Sequence, residues 1–86
     1  MTSAMQPLLQ NVTVLQDYEL ELEFSNGQRR VFDVKPYFGK GIFTQLKDLG
    51  YFARVRAHPR FVSWPQGQDF SLDTLWSRGK VLTTEK

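Results

Sequence analysis

From Tyr18 to Phe24 the chain reads YELELEF, apolar and acidic residues in strict alternation. A period of two places Tyr18, Leu20, Leu22 and Phe24 on one face of a β-strand and Glu19, Glu21 and Glu23 on the other. The pattern predicts a strand with one buried and one wet face. Upstream, Asn11–Leu15 (NVTVL) is short and β-branched and predicts another strand, with a turn at Gln16-Asp17. Residues 1–10 read as a flexible N-terminal arm, within which Leu8 and Leu9 are apolar enough to dock.

After Ser25-Asn26-Gly27 comes QRRVFDV, Gln28 to Val34. A two-residue Asn26-Gly27 loop would place Asp33 among the core residues and Phe32 among the glutamates. A three-residue loop, with Gly27 left-handed at a bulge, pairs Phe24 with Gln28, Leu20 with Phe32 and Glu23 with Arg29. A slip of one residue reverses every side chain, so the three-residue loop is the expected one. Its cost is Glu19 opposite Asp33, a like-charge pair, which Asp33 escapes by capping the turn that follows.

Two short helical segments are predicted next. Lys35–Phe38 has Pro36 at its first position, and Ile42–Asp48 sets Ile42, Phe43 and Leu46 on one face, with Gly50 ending that region and Tyr51 and Phe52 plugging the core. Arg54–Ala57 alternates like a half-exposed strand, His58-Pro59 turns, and Arg60–Trp64 returns as a second strand. Ser71 is placed to cap a helix with Asp73 in its first turn; Leu72, Leu75 and Trp76 share one face, and Arg78-Gly79 ends it. Val81-Leu82 adds an edge strand or trails off. The expected fold is α+β: two antiparallel β-hairpins forming a small sheet of four to five strands, with short helices packed on one side, residues 11–86 making a single domain.

Composition narrows the chemistry. The 86 residues contain no cysteine and a single histidine, His58, so disulfides, thiolate zinc sites and cysteine nucleophiles are excluded. Apolar runs fall far short of the roughly 20 residues a membrane helix needs, and Met1–Gln10 lacks the basic and apolar blocks of a signal peptide. A soluble, cytoplasmic protein is expected. An 86-residue chain supports one core with little margin, which leaves room for a homodimer. The net charge of +2 is divided unevenly: residues 1–28 carry −4 and residues 29–86 carry +6. Such asymmetry suits either a partner-binding surface or two solvated faces of one domain.

The order of motifs resembles a known family. Tyr18-x-Leu20-x-Leu22-x-Phe24, Asn26-Gly27 and Val31–Val34 are followed by Ile42-Phe43-x-x-Leu46-Lys47-Asp48, Phe52-x-x-Val55, Trp64-Pro65-x-Gly67-x-Asp69 and Asp73-Thr74-Leu75. Over residues 11–76 this is similar to the family called domain of unknown function 2442, the Trp64–Asp69 block being its most specific part. The chain departs from that pattern at Gln66, where asparagine is more usual, and at Leu72, where proline is. The resemblance implies small bacterial α+β proteins with no established enzymatic activity and no catalytic residues to carry over. By genomic setting, it implies the smaller, antitoxin-like or accessory partner of a two-gene module of toxin–antitoxin type.

Two constellations stand out. In Trp64-Pro65-Gln66-Gly67-Gln68-Asp69, Pro65 and Gly67 force a tight turn in which Asp69 can accept backbone N–H bonds. That account is structural; the functional one is a rigid loop that presents Trp64 or Gln66 to a partner. The second is the basic run Arg54, Arg56, His58 and Arg60, whose first three members would share a strand face. With Phe61 and Trp64 nearby it could hold nucleic acid, arginines on phosphates and aromatics on bases, although no helix-turn-helix, zinc-finger or RNP signature accompanies it. Otherwise it is a solvated face, or one that meets the Glu19-Glu21-Glu23 face of another copy.

The remaining candidates are weaker. Asp33, Asp69 and Asp73 lack a spacing that imposes metal geometry. Ser63 and Ser71 lack a nucleophile elbow, and Gly39-Lys40-Gly41 lacks the context of a phosphate loop. No catalytic set, cofactor or metal is expected. The sequence therefore reads as a non-enzymatic protein-interaction module, working through a small protein partner or its own dimer, with a nucleic-acid-binding regulator using strand 54–60 as the alternative.

Overall fold

A computed structural model describes residues 7–82. Seven strands fall into two antiparallel sheets. The first contains β1 (Leu9–Val14), β2 (Glu19–Phe24), β3 (Arg29–Asp33) and β7 (Lys80–Val81), in that order. The second contains β4 (Arg56–His58), β5 (Phe61–Ser63) and β6 (Asp69–Ser71). Two α-helices, α1 (Leu49–Phe52) and α2 (Leu72–Arg78), and three 3-10 segments complete the chain. This is the α+β class with both expected hairpins, the strands divided between two sheets.

The first hairpin has the register that burial demands. Leu20 pairs with Phe32 and Glu23 with Arg29. Phe24 N donates to Gln28 O at 2.9 Å and Gly27 N to Phe24 O at 2.9 Å, which closes the three-residue loop. Gly27 sits there at φ +85°, a left-handed value glycine adopts without a Cβ penalty. Asp33 does escape its like-charged neighbour: its Oδ1 accepts from Lys35 N at 3.0 Å and lies 3.1 Å from Lys35 Nζ. Lys35 also meets Asp17 at 3.1 Å. Burial draws the Lys35 pKa down, and the hydrogen bonds and charges of Asp33 and Asp17 outweigh it, so the ammonium titrates above its ordinary value.

Several boundaries differ from expectation. Residues 1–6 of the expected arm lie outside the described residues, but Leu9 already belongs to β1 and is 4% exposed. Its N–H donates to Pro59 O at 2.9 Å, tying the first sheet to the second hairpin. Gly50 does not end the helical region. The Asp48 carboxylate accepts from Gly50 N at 3.0 Å and starts α1, so Arg54 lies in the turn after that helix and β4 begins only at Arg56. Gly41–Lys47 winds as a 3-10 segment, three residues per turn. Phe43 and Leu46 then align inward, and Ile42, expected beside them, is 55% exposed.

One cluster of buried side chains joins the layers. Leu20, Leu22, Phe24 and Phe32 from the first sheet meet Val62 and Phe70 from the second, with Leu46 and Phe52 between them and Leu75 of α2 above. As expected, the Ser71 hydroxyl caps α2 by accepting from Thr74 N at 3.3 Å. The guanidinium of Arg30 lies 3.5 Å from the centre of the Trp76 ring and donates to Trp76 O at 2.5 Å. That seats α2 on β3. Among the described residues no helix is long and apolar enough to cross a membrane.

Candidate functional site

The Trp64–Asp69 block forms the turn between β5 and β6. Trp64 N donates to Gln68 O at 2.9 Å, Gly67 N donates to Trp64 O at 3.0 Å, and Gly67 has φ +106°. This repeats the loop of the first hairpin: an aromatic residue, three loop residues ending in glycine, then a glutamine. Strand alternation gives Trp64 the same facing as buried Val62, and Trp64 is 3% exposed. Its indole N–H donates to Phe52 O at 2.9 Å, and its ring packs 5.9 Å from the rings of Phe52 and Phe70. The expectation that the loop presents Trp64 to a partner is corrected: Trp64 belongs to the core.

Asp69 is corrected as well. It opens β6 with its side chain exposed, opposite Ser63, and among the described residues its carboxylate accepts no turn N–H. The turn's Gln66 N–H is accepted by the Tyr51 hydroxyl, and the turn is anchored by Gln68, whose role the sequence motif does not announce. Gln68 is fully buried. Its Nε2 donates to Ile42 O at 2.8 Å and to Gln45 Oε1 at 2.6 Å, while its Oε1 accepts from the Tyr51 hydroxyl at 2.6 Å. The Tyr51 hydroxyl in turn accepts from Gln66 N at 2.8 Å, and Gln45 Nε2 donates to Gln66 Oε1 at 3.0 Å. Tyr51, Gln68, Gln45 and Gln66 close a ring of hydrogen bonds that fixes the turn against the segment 41–52. A glutamine two residues before Phe70, on the core-facing phase of β6, was the available signal.

The basic run divides. Arg54 and Arg56, with Val55 between them and Pro65 from the turn, line an open recess of about 440 Å³. Arg54 reaches it from the turn after α1, and Arg56 from the start of β4. Arg56 and His58 share the outer face of the second sheet, as expected from alternation, while Ala57 faces inward against the core. His58 Nε2 lies 3.1 Å from Ser63 Oγ, and its ring stacks on Phe61 at 4.2 Å and 11°. Arg60 lies in the β4–β5 turn, where its carbonyl accepts from Leu72 N at 2.8 Å, and it does not line the recess. The ion pairs among the described residues join Arg29 to Glu21 at 3.4 Å and Lys35 to Asp17 and Asp33. Arg54, Arg56 and Arg60 take part in none of them.

Asp33, Asp69 and Asp73 are not gathered into one place, and among the described residues no three His, Asp or Glu side chains are placed to hold a metal ion. The recess is therefore the arrangement with chemistry to offer: two exposed arginines with Val55 and Pro65 line it, beside a turn held by four side chains.

The pattern of a known family matches residues 9–81, from the first residue of β1 to the last of β7. The chain belongs to the family described as Protein of unknown function (DUF2442). In this DUF2442 chain the matched span takes in both sheets, the glutamine ring and the recess. No curated protein and no solved structure matches the chain.

Proposed function

We propose that this DUF2442 chain is a non-enzymatic protein-interaction module whose recess at Arg54, Val55, Arg56 and Pro65 takes an acidic side chain of a protein partner. The observation that carries the reading is that two arginines line one recess and neither has a carboxylate partner among the described residues. Guanidinium forks match carboxylates two bonds at a time, and Val55 and Pro65 suit the methylene stem that bears one. The antitoxin-like or accessory role in a two-gene module is the form of this function that the family resemblance implies, and the cytoplasm is its proposed location.

Nucleic acid is the weaker reading, because one of its two aromatics is buried. Trp64 is buried, which leaves Phe61, 38% exposed and stacked on one face by His58, as the aromatic beside the basic run.

The test is capture of partners from the native host's lysate after nuclease treatment, with the tagged wild type and with Arg54→Glu/Arg56→Glu. The expected result is one stoichiometric small protein that the double variant loses while keeping its circular dichroism spectrum. Equal capture by both proteins overturns the recess as the docking point, and capture that vanishes with nuclease moves the reading to nucleic acid.

A further inference from the structure

We infer that the acidic partner seated at the recess is the β2 face of a second copy of this chain; the inference rests on the recess being a carboxylate site. The outer face of the first sheet carries Glu19, Glu21 and Glu23 in one row, spaced about 6.8 Å apart as alternate residues of a strand are. Its neighbours neutralise little of that charge. Asp33 stands directly opposite Glu19, Val31 opposite Glu21 and Arg29 opposite Glu23, with Thr13 and Asn11 on the β1 side. Arg29 is committed to Glu21, and Lys35 is committed to Asp33 and Asp17. Glu19 and Glu23 are half-buried and form no hydrogen bond or ion pair among the described residues. A cation from outside would pair with Glu19 and Glu23 without displacing a partner among the described residues.

The recess is the opposite of that face in every respect. Arg54 and Arg56 are exposed and form no ion pair among the described residues, and they too lie at alternate positions along the chain. The net charge is only +2, so overall repulsion between copies is small while the local patches attract. In a two-fold pair each copy lends its arginines to the other's glutamates, and the contact closes without exposing a further patch.

Charge-swap complementation tests this by sedimentation velocity over a range of concentrations, with circular dichroism to confirm folding. The variants are Arg54→Glu/Arg56→Glu and Glu19→Lys/Glu23→Lys, with Glu19→Gln/Glu23→Gln as a milder version of the second. Wild type is expected to dimerise, with a dissociation constant that rises at least about tenfold between about 50 mM and about 500 mM salt. Each variant alone should be monomeric, and the equimolar mixture of the two swapped variants should recover a one-to-one dimer. A monomeric wild type, variants that dimerise as well as wild type, or a mixture that stays monomeric overturns the inference. If wild type is monomeric while Arg54→Glu/Arg56→Glu still loses a lysate partner, only the second copy falls and the recess stands. If that variant both dimerises and keeps its lysate partner, both fall.

Discussion

Gln68 shows how much one side chain can organise. Its amide nitrogen and amide oxygen have three partners, two on the 3-10 segment Gly41–Lys47 and one on α1, so its full burial carries no unmet hydrogen bond. Replacing it with leucine removes one residue and leaves three partners unmatched. Gln68→Leu should cost about 1–3 kcal/mol in urea unfolding, with Tyr51→Phe in the same range, because it abandons both Gln68 Oε1 and Gln66 N. The paired substitution should cost less than the sum, since both sit in one ring. Trp64 makes a different prediction. Trp64→Ala empties a core site and should cost about 3–5 kcal/mol. Trp64→Phe keeps most of the packing and leaves the Phe52 carbonyl with only the longer bond from Val55 N at 3.4 Å. If Trp64→Ala binds a partner normally once folded at low temperature, its role is confirmed as packing alone. The basic residues were legible as a run, and Arg54 and Arg56 line one recess with Pro65 of the most specific motif. Trp64 and Asp69 were misplaced because a Pro-Gly turn reads as an exposed tip, whereas strand phase sends the residue before it inward and the one after Gln68 outward.

Segments of regular structure repeat a device. Phe24-Ser25-Asn26-Gly27-Gln28 and Trp64-Pro65-Gln66-Gly67-Gln68 make the same loop with the same two backbone bonds. The first was readable because the glutamates and apolar residues of β2 give an unmistakable phase. The second hid β6 because buried Gln68 breaks the apolar pattern that would announce a strand. The α1 boundary failed for a related reason: Arg54-Val55-Arg56-Ala57 alternates by sequence, yet its first residue is needed to close the helix before it, Arg54 N donating to Tyr51 O at 2.9 Å. Glycines separate two kinds of constraint. A Cβ at Gly27 or Gly67 would meet nothing within 4 Å, so the penalty at φ +85° and +106° is conformational. Gly27→Ala should cost about 1 kcal/mol and Gly27→Asn less, since asparagine tolerates left-handed backbone. At Gly79 a Cβ would stand 2.6 Å from Leu75 O and 3.1 Å from Arg30 Cβ, so alanine and asparagine should be equally harmful. Thermal melts of the four variants measure the contrast.

Across the molecule, the two sheets share one core. The first turns the row Glu19, Glu21 and Glu23 outward, Arg54 and Arg56 lie at the recess where β4 begins, and β1 joins the sheets through Leu9 and Pro59. The α+β class and the first hairpin's register followed from alternation alone. The division into two sheets did not, because it is decided by which strand edges meet in space. One corner also bears on how the molecule assembles in time. Asp17 and Tyr18 both adopt left-handed backbone, at φ 63° and 61°, a conformation a bulky tyrosine resists. What holds them comes from far along the chain: Val34 N donates to Tyr18 O at 3.1 Å, Lys35 Nζ to Asp17 O at 2.6 Å, and the Tyr18 hydroxyl to Lys47 O. The ring of Tyr18 also packs 4.9 Å from Phe38 and 5.4 Å from Phe52. None of these anchors exists until residues 34–52 have settled. The β1–β2 corner should therefore lock after the folding barrier, and Tyr18→Phe should chiefly speed unfolding in stopped-flow measurements while leaving the refolding rate almost unchanged.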